Sequence, residues 1–197
     1  QCIMARKTKI KLSSVTFLTL LLNLSVCAQN IQISSAGNPT EPSIMMDPNN
    51  PDILVAGSNL NYYYTSNDGG ATWNVNTLTS SYGVWGDPVI DIDTLGHFYF
   101  THLANMPGGN WIDRIVCQKS TNGGISWSDG SYTGLNGTKA QDKQWTIVDR
   151  SNNNIYMTWT EFDEYGSSIP SDSSRILFSK SLDQGNTWAT PIQINQV

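Results

Sequence analysis

The sequence predicts an all-β protein, a β-propeller of four-stranded antiparallel blades, and three observations carry that reading. An eight-residue pattern occurs three times, as Ser66-Asn67-Asp68-Gly69-Gly70-Ala71-Thr72-Trp73, Ser120-Thr121-Asn122-Gly123-Gly124-Ile125-Ser126-Trp127 and Ser181-Leu182-Asp183-Gln184-Gly185-Asn186-Thr187-Trp188. Its Asp/Asn positions lie 54 and 61 residues apart, a period at which each repeat is one small antiparallel sheet. Between the copies fall short runs of Ile, Val, Met, Phe and Tyr bounded by Gly, Pro, Asn and Asp, as buried strands between turns require.

The common form, Ser-x-Asp/Asn-x-Gly-x-Ser/Thr-Trp, is a hairpin turn with its own chemistry. Asp68, Asn122 and Asp183 can accept backbone N–H groups a few residues on. Gly70, Gly124 and Gly185 supply a positive φ that a side chain resists. Ser66, Ser120, Ser181, Thr72, Ser126 and Thr187 add local bonds, and Trp73, Trp127 and Trp188 bury a large ring against the sheet. Asn122 in the middle copy decides between a structural and a catalytic role, because an amide locks a turn but cannot act as general acid or nucleophile. The pattern resembles the Asp-box of the bacterial neuraminidase repeat, found in sialidases and many other β-propellers. That resemblance implies a six-bladed ring with the boxes on the face away from the active site.

Aligning the copies gives four strands per blade. Blade one, about residues 40–80, takes Pro42–Met46, Ile53–Gly57, Tyr62–Ser66 and Trp73–Leu78. Blade two, about 86–134, takes Pro88–Ile92, Phe98–His102, Ile115–Lys119 and Trp127–Tyr132. Blade three, about 143–197, takes Trp145–Val148, Ile155–Trp159, Ile176–Lys180 and Thr187–Ile194. Three repeats fall short of the four to eight blades of a closed propeller. Residues 29–197 are therefore expected to be the N-terminal half of a longer one.

Residues 1–28 read as leader and signal peptide. Arg6, Lys7, Lys9 and Lys11 precede an apolar run from Val15 to Val26, and Val26-Cys27-Ala28 supplies a cleavage site. The run is too short for a membrane span. A secreted or cell-surface protein is expected, with lipidation at Cys27 as the alternative that Val26 disfavours. Without the leader, seven basic residues face sixteen acidic ones, a net charge of −9, which argues against nucleic-acid or anionic-membrane partners. Cys117 then stands alone, so no internal disulfide is expected.

Antiparallel pairing puts the short turns between first and second strands on the Asp-box face. The opposite face receives the longer connections 58–61, 79–87, 103–114, 133–144 and 161–175. Long loops on a rigid scaffold are where binding and catalysis concentrate. Trp85, Trp111, Trp145 and Tyr165 are the candidate ligand-binding platforms there, with Asp87, Asp142 and Glu161 the candidate catalytic carboxylates. Aromatic faces beside carboxylates suit sugar rings and their hydroxyls. The sialidase resemblance stops short of the catalytic signature. Thr40 or Glu41 stands where the carboxylate-binding Arg of that family belongs, and Asn59 where its acid/base Asp belongs. Metal, nucleotide and phosphate motifs are absent, so no metal or cofactor is expected. The leading expectation is a propeller that binds glycan or another extracellular ligand, such as a protein, through the long-loop face. The alternatives are a glycoside hydrolase with part of its site downstream, and a structural adhesion or interaction module.

Overall fold

The computed structural model describes residues 30–37 and 39–196, and the leader assigned to residues 1–28 lies outside them. Among the described residues, twelve strands form three four-stranded sheets, each antiparallel and in sequence order. Blade one holds β1 (Ser43–Met46), β2 (Leu54–Ser58), β3 (Tyr62–Ser66) and β4 (Asn74–Thr77). Blade two holds β5 (Val89–Ile92), β6 (Phe98–Leu103), β7 (Ile115–Ser120) and β8 (Ser131–Thr133). Blade three holds β9 (Ala140–Asp149), β10 (Asn154–Phe162), β11 (Ser174–Ser181) and β12 (Ile192–Gln193). The first strands pack in the order β1, β5, β9, the innermost position of each blade.

The blades stack face to face, and the core lies between them. Val55, Tyr63, Ile90, Phe98 and Phe100 fill the space between blades one and two, closed by the Trp127 ring. Leu103, Ile112, Ile115, Met157 and Trp159 fill the space between blades two and three, closed by Trp188. Polar pins cross both seams. Ser43 Oγ accepts the Ile90 N–H at 2.9 Å, and the buried Asp91 carboxylate accepts the Val148 N–H at 2.6 Å. His102 and Cys117 are packed inside this core. Burial lowers the His102 pKa to about 4 and pushes the Cys117 thiol up to about 12, so neither carries charge or nucleophilicity at neutral pH.

The three turns are built as the sequence pattern requires. In each, the Ser hydroxyl donates to the Asp or Asn side chain at 2.8–2.9 Å and accepts the Gly N–H. The same Asp or Asn oxygen accepts the N–H of Thr72, Ser126 or Thr187. Gly70, Gly124 and Gly185 all have φ between 81° and 88°. In the third copy Gln184 takes the left-handed slot that Gly69 and Gly123 fill elsewhere.

Blade three departs from the expected boundaries. β9 begins at Ala140 instead of Trp145, and β10 runs to Phe162 instead of Trp159. The extra pairing is made past a bulge: Trp145 pairs with Thr158, but Asp142 pairs with Thr160, leaving two residues opposite one. Asp142 and Glu161 therefore lie in strands and not in loops. The outermost strands β8 and β12 are shorter than expected: Ser128 and Ala189 each bond back to the third strand, but regular pairing begins only at Ser131 and Ile192.

Candidate functional site

One backbone feature repeats at the loop end of all three inner strands. Glu41, Asp87 and Lys143 have φ of 53°, 51° and 53°, a left-handed conformation that costs a non-glycine residue free energy. Glu41 and Asp87 each precede the proline that leads into β1 or β5. Lys143 sits in the β9 bulge. Each blade thus presents one charged side chain at the mouth of the stack from the same strained position. Nothing in the sequence repeat marks these positions, and Glu41 and Lys143 were not foreseen as site residues.

Asn59 ties two of these positions together. Its Oδ1 accepts the Asp87 N–H at 2.7 Å, while its N–H donates to the Thr40 carbonyl at 3.0 Å. Gly86 is required beside it: a Cβ there would lie 2.3 Å from Asn59 Oδ1. Gln144, buried in blade three, donates to the Asp87 and Thr101 carbonyls and completes the support from the other side.

The carboxylates at this mouth are crowded. Burial raises the Asp87 pKa to about 7, helped by a hydrogen bond and like charge from Glu41 and by the charge of Asp142, against the pull of Lys143. An aromatic run leads away from them. The Tyr165 phenol lies against Asp142, whose charge raises its pKa. Tyr165 meets Trp111 edge-on at 5.1 Å, and Trp111 meets Trp85 at 6.5 Å. All three rings are exposed, Trp85 by 36 %, Trp111 by 43 % and Tyr165 by 45 %.

Local folding explains why these rings stand outward. The N–H of Trp85 bonds the Leu103 carbonyl and that of Leu103 bonds the Gly86 carbonyl, extending the β6 edge under the Trp85 loop. Ile112, left-handed at φ 46° and buried, plugs the blade seam and turns Trp111 out to solvent.

Two expected site residues are placed elsewhere. Trp145 stays on the exposed outer face of the blade-three sheet, in the row Trp145, Thr158, Phe178, Ile192 defined by the strand register. Glu161 is 2 % exposed and lies on the opposite sheet face from Asp142, because its register partner is Gln141. Arg175 donates to it at 2.7 Å, and Asn136 and Gln141 donate to its second oxygen at 3.0 and 3.3 Å. Burial alone would raise its pKa, but these bonds and Lys139 outweigh it and hold the carboxylate low. Both of its oxygens are thus partnered within the blade and its connection. It clips the 134–139 connection to the blade. Among the described residues no group of three His, Cys, Asp or Glu side chains is gathered as metal ligands. No helix among them is long and apolar enough to cross a membrane.

No protein-family model matches the chain, and no curated protein matches it. Solved structures do. An α-L-arabinanase of Penicillium chrysogenum, solved with arabinobiose, matches with a TM-score of 0.58 at 15 % identity, over 82 % of this chain and 51 % of its own. A GH93 α-L-arabinofuranosidase of Fusarium graminearum, also solved with arabinobiose, matches with 0.58 at 11 % identity, over 85 % and 51 %. A protein of unknown function from Dyadobacter fermentans matches with 0.60 at 10 % identity, over 85 % and 54 %. The chain spans about half the length of these structures. At such identities the likeness is one of fold: three blades of a propeller.

Proposed function

We propose that this protein binds oligosaccharides at the mouth formed by its loop end. The observation that carries the reading is the edge-to-face run Trp85, Trp111, Tyr165, exposed and ending on the Asp142 and Asp87 carboxyls. Sugar rings stack their C–H faces on such platforms, and carboxyl oxygens accept from sugar hydroxyls. The basic and apolar leader at residues 4–28 supports export, which would bring the site to extracellular glycans. Titration calorimetry against a panel of oligosaccharides tests the reading. Trp111→Ala should weaken binding at least tenfold while leaving the melting temperature within a few degrees. Unchanged affinity in a folded Trp111→Ala protein ends it.

Glycoside hydrolysis is the second reading, and one observation favours it. A carboxyl with a pKa of about 7 is protonated enough at neutral pH to donate to a leaving oxygen. Asp87 would be that acid and Asp142 its partner carboxylate, since Glu41 acts on Asp87 most strongly of the neighbouring charges and is too close to flank a glycosidic bond. Asp87→Asn would then abolish turnover but keep glycan affinity.

A further inference from the structure

We infer that this mouth selects neutral glycans and rejects those carrying a carboxylate, an inference that rests on the glycan reading above. Glu41, Asp87 and Asp142 converge from three blades, with Lys143 as the cation beside Asp87. Among the described residues, the guanidinium groups at this end that could clamp a sugar carboxylate are already engaged. Arg114 is paired through two bonds of 2.8 and 2.9 Å to Asp113, with Tyr132 stacked on it at 4.8 Å and Tyr82 at 5.8 Å. Arg175 is divided between Glu161 and Asp163, at 2.7 and 2.9 Å. Lys139 bridges the same two carboxylates at 3.5 and 3.0 Å. Arg150 follows β9 at the other end of the strand from Lys143. Among the described residues, a uronate or sialate arriving at the mouth therefore finds like charge and no open bidentate partner. A neutral sugar presents only hydroxyls, which donate to these oxygens without electrostatic opposition.

The expected discrimination follows from charge. Two uncompensated negative charges at ~6 Å in a water-like dielectric amount to about tenfold in affinity, more where burial lowers the dielectric and less at high salt.

Matched pairs test this by calorimetry at low ionic strength: galactobiose against digalacturonate, and lactose against 3′-sialyllactose. The inference expects the neutral member of at least one pair to bind, and its acidic counterpart to bind at least tenfold more weakly. Glu41→Gln combined with Asp142→Asn should bring that ratio close to parity, and Lys143→Gln should widen it, with circular dichroism confirming native sheet in both. Acidic sugars binding as tightly as their neutral partners would overturn the inference while leaving the glycan reading standing. A ratio unmoved by the charge variants would overturn the assignment to these residues. Binding of neither class, here or across a broader panel, would overturn both.

Discussion

The Asp-box end and the loop end of this molecule use the same side chain in opposite ways. Asp68 at the box end is fully exposed, and the Thr72 hydroxyl and N–H with the Ser66 hydroxyl lower its pKa to about 2. Asp183 is lowered for the same kind of reason, its Thr187 bonds first. Asp87 at the loop end is half-buried, faces Glu41 and Asp142, and is raised to about 7. A carboxylate saturated by its own turn has nothing left to offer a ligand. One held among like charges is unsatisfied, and that is where perturbed groups signal function. The comparison also separates Glu161 from its neighbours: it sits at the loop end yet is fully partnered, and so belongs with the boxes.

Removing a partner should expose that division most strongly at Glu161. Arg175→Met leaves a buried carboxylate facing only amides and Lys139, and unfolding in urea should show a loss of about 3 kcal/mol. A loss below ~1 kcal/mol, the range of surface pairs, would return Glu161 to the list of free mouth carboxylates.

Ser120→Ala comes next. The hydroxyl is buried, donates to Asn122 and accepts the buried Gly124 N–H, so its removal should cost about 1–2 kcal/mol. Glycan affinity of the folded variant should be unchanged. Weakened binding at native stability would give the boxes a role in recognition.

How much of this was legible in the sequence follows from range. The boxes were readable because the Ser, Asp/Asn and Gly bonds that close each turn span four residues or fewer. The strands of blades one and two were readable because their apolar runs are bounded by turn residues. The long pairing of blade three was not, because the residues beyond Trp145 and Trp159 are polar (Gln141, Asp142, Glu161) and pair only through a bulge. Asp87 and Asp142 were visible as carboxylates before inner strands. Glu41 and Asn59 were set aside as mismatches to a sialidase, and their actual use, a bond across 28 residues in the case of Asn59 and Asp87, exists only once the blades stack. Trp145 was readable as a strand residue, but the face of the sheet it takes is set by its register with Thr158.

The smallest effect should have the opposite sign. A raised carboxyl pKa means the folded state holds its proton longer than the unfolded chain does. The contribution of Asp87 to stability is thus fully present below about pH 4 and lost as pH rises to about 7. Asp87→Asn should remove that decline, so its melting temperature should match or exceed the parent's at pH 8. A clear drop at pH 8 would show that the mouth is held together by its carboxylates as the boxes are.

Asn59 has a consequence for how the protein comes apart. It joins the Thr40 and Asp87 backbones across the seam of blades one and two, so the mouth exists only while that seam is closed. In stacked units that touch only their neighbours, opening proceeds unit by unit and draws on the least stable one. A population with blade one detached would keep eight of the twelve strands of the described residues and most of its sheet signal, yet hold no assembled mouth. Any binding at the mouth would then be set by the weakest seam, and warming should silence it before the sheets report any melting.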